Sequence, residues 1–181
     1  MNSKIIIAID AMGGEKAPHK NIEGVSLFLK RNNKISDVFF NLFGDEDLIK
    51  KELKKYKISN DKYKIFPTTT VVSDEETPLT AIKNSKDSSM WNSINSQIVS
   101  NSNITLSAGN TGVLFVISRM LLKTIETVSK PALAGLWPNE KNMNVVLDLG
   151  ANVECDENNL VDFSEMGAAL YKALFPDDIP I

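Results

Sequence analysis

Cysteine and histidine are almost missing from this chain, which holds one of each, Cys155 and His19, in 181 residues. A single thiol cannot close an internal disulfide, and one Cys with one His cannot assemble a zinc site of the usual kind. Without a paired thiol, a reducing compartment is expected. Arginine is nearly absent as well: Arg31 and Arg119 stand against 18 lysines, while asparagine (18) and isoleucine (17) are abundant. That profile points to a genome-wide codon bias, so lysine clusters such as Lys50–Lys57 are read as the solvated face of a helix rather than a docking patch. Excess positive charge is also lacking. A net charge of −3 argues against a nucleic-acid partner held by bulk electrostatics. Long apolar runs are missing too. Ile5–Ile9 is too short for a signal-peptide core, and no segment approaches the roughly 20 apolar residues needed to span a bilayer. The expectation is a cytoplasmic protein.

What is present is ordinary globular composition, 43% hydrophobic and 24% charged, enough for a substantial core. The β-branched run Ile5–Ile9 predicts a strand buried on both faces, and Val38–Phe43, Tyr63–Phe66, Ile104–Leu106, Ala132–Leu136 and Val145–Leu149 predict others. Between them lie helical spacings: Ile22, Val25 and Leu29; Ile49, Leu53 and Tyr56 behind a cap at Asp45; a stretch opened by Thr77-Pro78; Met90, Ile94 and Ile98; and Phe163, Met166, Leu170 and Leu174 on a helix from about Asn159. Alternating strands and helices imply an α/β fold with a mainly parallel sheet flanked by helices, because parallel neighbours need crossover connections. Residues 1–181 read as one α/β domain or the N-terminal portion of a longer fold.

In open α/β sheets ligands bind beyond the carboxyl ends of strands. Three such corners are rich in small and polar residues: Asp10-Ala11-Met12-Gly13-Gly14-Glu15, Ser107-Ala108-Gly109-Asn110-Thr111-Gly112, and Asp148-Leu149-Gly150-Ala151-Asn152. The second has the components of an anion site, with glycines for close backbone approach, hydroxyls at Ser107 and Thr111, and a following apolar helix read as the most buried one. The same pattern also suits a plain strand-to-helix turn capped by Asn110 or Thr111. No dinucleotide or Walker fingerprint is present, and Ser107 lies outside a G-x-S-x-G context. Asp10 and Asp148 each close an apolar strand, at matched positions. They are read either as caps or as two walls of a shared polar cleft, with a metal between them left open and no metal site assigned. His19, just after Pro18 near a helix start, is read as a surface or cap-proximal residue rather than a general base, and Cys155, without a base partner, as structural or incidental.

Taken together, IAIDAMGGEKAP at Ile7–Pro18, LFGDE at Leu42–Glu46, SKDSSM at Ser85–Met90, SAGNTG at Ser107–Gly112, KPALA at Lys130–Ala134 and LDLGANVEC at Leu147–Cys155 resemble the bacterial phosphate acyltransferase family (PlsX type), in order and spacing up to about Leu174. The resemblance implies an isocitrate/isopropylmalate dehydrogenase-like α/β fold. It also implies a cofactor-free acyltransferase of phospholipid synthesis that moves a fatty acyl group from acyl carrier protein to inorganic phosphate, as a homodimer touching the membrane peripherally. On that basis catalytic or cleft-organising roles fall to Asp10, Ser107, Asn110, Asp148 and Asn152. Phosphate contacts fall to Gly13, Gly14, Lys83, Ser88, Ser89, Gly109, Thr111, Gly112 and Gly150.

Departures from the family pattern are Glu15 for Asp, Lys83 and Lys130 for Arg, and Trp137-Pro138-Asn139 for Leu-Pro-Thr. Lysine keeps the charge but loses bidentate geometry. Family members are also commonly nearly twice as long, with a DGFTGN-like stretch absent here. The expectation is therefore an apparently truncated chain with little activity alone, completed by a second-half polypeptide if at all. Two alternatives stand beside it: a non-catalytic remnant or binding module for acyl carrier protein or phosphate, and a phosphotransacetylase-like enzyme acting on short acyl-CoA.

Overall fold

The computed structural model describes residues 4–32, 37–73, 75–99, 101–140 and 142–177. They form two compact units, Met1–Leu122 and Lys123–Ile181.

The first unit is built on four parallel strands in the order β3-β2-β1-β4, with β1 Ile5–Asp10, β2 Val38–Gly44, β3 Tyr63–Pro67 and β4 Ile104–Ser107. Its helices are α1 His19–Arg31, α2 Glu46–Tyr56, α3 Pro78–Asn84, α4 Ser89–Ile98 and α5 Thr111–Leu122. The apolar spacings read from the sequence point inward here. Ile22 and Val25 of α1 and Ile49 and Leu53 of α2 join Ile9, Phe40 and Leu42 of the sheet in one core. Asp45 caps α2 by accepting from Leu48 N at 2.9 Å, and Lys57, in the left-handed region, ends it. His19 Nδ1 lies 2.9 Å from Glu52 Oε2 and its ring stacks on Tyr56, so this first residue of α1 ties α1 to α2.

On the other face, Met90 and Ile94 of α4 meet Val113 and Ile117 of α5 in a second core. Two details differ from expectation. Ile98 is exposed, and α5 fully buries only Val113 and Ile117, leaving Met120 and Leu122 exposed. An apolar run without charges marks a helix as able to be buried on several sides, not as being so.

The second unit holds β5 Gly135–Pro138, β6 Met143–Val146 and α6 Glu157–Leu174. Both strands lie two to three residues from where the apolar runs place them. They pair antiparallel with each other rather than joining the parallel sheet. The reason is the short connection: Asn139 N–H donates to Asn142 O at 2.9 Å, closing a hairpin, and only antiparallel strands can be joined so tightly. Helix α6 starts with a capping box between Asp156 and Asn159 and buries Phe163, while Leu174 is exposed. Among the described residues no helix is long and apolar enough to cross a membrane.

Candidate functional site

Asp10 is the last residue of β1 and Ser107 the last of β4, and the parallel register sets them side by side. The site grows from this pair. Ser107 Oγ donates to Asp10 Oδ2 at 2.7 Å and accepts from Gly109 N at 3.1 Å. Around them the chain is packed to backbone contact. A Cβ built on Gly13 would stand 2.5 Å from Asp10 Oδ2, 2.9 Å from Gly109 N and 2.9 Å from Ser107 Oγ. Gly14, at φ +85°, lies against Ala108 O, where a Cβ would come to 2.5 Å. The first two corners read from the sequence are therefore one cluster.

Asp10 is 1% exposed, and its second oxygen, Oδ1, is buried without a hydrogen-bond partner. Burial pushes its carboxyl above the usual range, against the opposing pull of the Ser89 and Ser107 hydroxyls and the Met12 and Gly13 N–H groups. Ser89 lies close enough for its dipole to be felt but without hydrogen-bond geometry, and its Oγ is itself buried and unpartnered. Ser89 is the first residue of α4, so the helix directs its N-terminal end at the same cluster.

The remaining predicted residues of the first unit have other tasks or stand further out. Ser88 is fully buried as the N-cap of α4, accepting from Trp91 N at 3.1 Å. Asn110 caps α5 through Val113 N at 3.1 Å, and its amide donates to Glu76 O at 3.1 Å. The turn reading of this corner is thus satisfied together with the cluster. Thr111 and Gly112 are exposed in the first turn of α5, and Lys83 is exposed on α3. A groove of about 330 Å³ reaches Ser107 and Ala108 and runs between α1 and the sheet over Ile7, Ile9, Val25 and Leu106.

One positioning residue escaped the sequence reading. Asn21, in the first turn of α1, donates from Nδ2 to Ala11 O at 2.9 Å and Gly13 O at 3.0 Å, pinning the loop after β1. An asparagine among 18 gives no signal of its own. Asn21→Ala leaves these carbonyls without that donor and is expected to cost about 1–2 kcal/mol. A lowered urea midpoint, with faster amide exchange at residues 11–14, is the expected result; an unchanged midpoint would show the loop to be held without it.

In the second unit, Asp148 lies two residues beyond β6, not at the end of a parallel strand, so its expected equivalence with Asp10 does not hold locally. Its carboxylate is saturated. Oδ1 accepts from Leu133 N (3.1 Å) and Ala151 N (3.3 Å), and Oδ2 from Asn152 N (2.8 Å) and Asn152 Nδ2 (3.1 Å). Desolvation alone would raise its pKa, but these donors outweigh it and the carboxyl is held below the usual range. Asn152 Nδ2 also donates to Pro131 O at 2.8 Å, and Lys130 Nζ to Glu154 O at 2.7 Å. Gly150 supplies a left-handed turn at φ +79° with open space around it. Asp148 and Asn152 line a hollow of about 1150 Å³ between the hairpin and α6, together with Cys155 and Tyr171. Among the described residues no group of three or more His, Cys, Asp or Glu is placed to hold a metal ion.

Comparison with known proteins adds to this geometry. A family model described as "Fatty acid synthesis protein" matches residues 5–179. A phosphate acyltransferase from Pelagibacter ubique (strain HTCC1062) is 48% identical over 97% of this chain and 52% of its own length. One from Ehrlichia ruminantium (strain Gardel) is 39% identical over 95% and 50%. The chain thus spans about half the length of the curated relatives it matches. Among solved structures, the EutD phosphotransacetylase from Staphylococcus aureus superposes with a TM-score of 0.63 at 11% identity, over 96% of this chain and 54% of that one, a likeness of fold.

Proposed function

We propose, because this chain belongs to the fatty acid synthesis protein family, that it serves transfer of a fatty acyl group from acyl carrier protein to inorganic phosphate, giving acyl phosphate for phospholipid synthesis. Supporting this reading is one observation above the rest: the Asp10–Ser107 hydrogen bond between adjacent strand ends, with Gly13 and Gly109 packed closely against it. The chemistry needs no protein nucleophile. A phosphate oxygen attacks the thioester carbonyl carbon, the C–O bond forms, and the carbonyl electrons move to oxygen. As that oxyanion collapses, the C–S bond breaks and the departing thiolate takes the proton that the attacking hydrogen phosphate gives up. The protein must hold phosphate, align it and stabilise the oxyanion, and in this reading the Ser107–Gly112 loop does so with α4 and α5 directed at it.

The family likeness also supports a cytoplasmic homodimer or a complex with a polypeptide carrying the remaining half, and peripheral contact with membrane. The assay supplies long-chain acyl carrier protein and phosphate and follows acyl phosphate, with this chain alone and with a polypeptide matching the other half of its relatives. Turnover is expected in the second condition and little in the first. No turnover in either would sink the enzyme reading in favour of a binding module. Turnover with acetyl-CoA but not the carrier protein would move the assignment to a phosphotransacetylase-like reaction.

A further inference from the structure

The hydroxyl of Ser107 is engaged from two sides. It accepts from Gly109 N–H and donates to Asp10 Oδ2. A hydroxyl has one proton and two lone pairs, so while Asp10 acts as acceptor the Ser107 proton is taken and only a lone pair is left for the loop mouth. A lone pair cannot hold an unprotonated phosphate or sulfate oxygen, yet Ser107 is only partly buried and lines the groove. Reversing one hydrogen bond resolves the conflict. We propose that an oxyanion binds at this corner with uptake of one proton by Asp10: the carboxylic acid donates from Oδ2 to Ser107 Oγ, which keeps the Gly109 bond and turns its own proton to the anion. No covalent bond to carbon, sulfur or phosphorus changes in this step.

The surroundings are suited to it. Asp10 is 1% exposed, and Oδ1 is left without a hydrogen bond, so the buried site favours the neutral form. The elements packed on it bring no counter-charge: β2, β4 and α4 contain no ionisable residue. Neighbouring segments carry Glu15, Lys16, His19, Lys20, Glu76, Lys83, Lys86 and Asp87, and among the described residues none forms an ion pair with Asp10. The N-terminal end of α4, a ten-residue helix, reaches the cluster through Ser89, whose buried Oγ is unpartnered. That gives the bound anion a favourable field even beside an acid.

The inference rests on the proposed function for the identity of the natural anion, and its test is kept apart from turnover. Inorganic sulfate is the probe, because its charge is constant across the neutral and mildly acidic range where phosphate titrates. Calorimetric titration of the 181-residue chain in buffers of different ionisation enthalpy counts protons. The expected result is uptake of one proton per sulfate and binding about tenfold weaker per pH unit above the Asp10 pKa. Asp10→Asn, whose amide donates to Ser107 permanently, should bind sulfate independently of pH and without proton uptake, and Ser107→Ala should lose binding. Binding without proton uptake overturns the proposal, as does no binding at any pH, or a folded Asp10→Asn that binds more weakly than wild type at neutral pH. Should Asp10→Asn fail to fold, the wild-type proton count decides alone. Proton-coupled sulfate binding without acyl transfer would remove the enzyme reading and leave this inference standing; acyl transfer with proton-independent binding would do the reverse.

Discussion

Gly13→Ala is expected to abolish sulfate and phosphate binding and to lower stability by about 2 kcal/mol, or about 4–8 °C in Tm. The new methyl group would have to share space with Asp10 Oδ2 at 2.5 Å and with Gly109 N and Ser107 Oγ at 2.9 Å. None of these is the free end of a flexible side chain. Asp10 is buried and bonded to Ser107, Ser107 is bonded to Gly109, and the loop carrying Gly13 is itself pinned by Asn21. The strain therefore spreads into the contacts that define the site instead of being absorbed locally. Gly24→Ala is the control. In α1 a Cβ at Gly24 would meet nothing within 4 Å, so the change should stabilise by about 0.5–1 kcal/mol through helix propensity and leave sulfate binding as it was. Thermal melts and sulfate titrations of the pair test the idea. A Gly13→Ala protein with unchanged Tm and unchanged binding would mean that the corner is loose enough to hold no anion.

Much of the fold was legible because burial leaves a period in the sequence. Ile5–Ile9 reads as a strand and Ile22, Val25 and Leu29 as a helix face without any knowledge of neighbours, and Asp45 announces its cap by position. What periodicity cannot carry is adjacency. That β4 lies beside β1, so that Asp10 meets Ser107 across 97 residues, follows from the strand order β3-β2-β1-β4 and from no local pattern. The direction of β5 and β6 was likewise hidden, because their apolar runs suit either sense and the hairpin turn between Asn139 and Asn142 makes the choice. Side-chain bonding was the least visible. Ser88 and Ser89 are consecutive and alike, yet one caps a helix while the other is buried beside Asp10 with its hydroxyl unused. Asn21 reaches three carbonyl oxygens and the Asn152 amide a carbonyl and a carboxylate oxygen, but both look like any other asparagine in a chain rich in them.

Replacing Asp148 should damage the second unit more than any other single polar change there. Asp148→Ala leaves the N–H groups of Leu133, Ala151 and Asn152 without their acceptor, together with the Asn152 amide. Hydrogen bonds to a charged group contribute about 1.5–3 kcal/mol each in favourable cases. Asp148 is partly exposed, so water can take over some of the freed donors, and the total loss is expected to be about 2–3 kcal/mol. Asn in its place is no remedy, because its NH₂ would face donors at Oδ1 or Oδ2. The pH dependence follows from the lowered pKa. Its folded value lies below the unfolded one of about 3.9, so this stabilisation is present above about pH 4 and fades as pH falls through the folded pKa. Asp10 has the opposite sign: its raised folded pKa means that stability falls as pH rises from about 3.9 to the folded value and is constant beyond it. A melt of the wild type on acidification therefore mixes two opposing trends. Urea midpoints of Asp148→Ala and Asp10→Asn against wild type at neutral and acid pH separate them. The Asp148→Ala deficit should shrink on acidification, with amide exchange at Leu133, Ala151 and Asn152 reporting the same change locally. Asp10→Asn should gain on wild type as pH rises. A deficit for Asp148→Ala that stays constant down to low pH would mean that its carboxylate charge does not hold the 131–152 loops together.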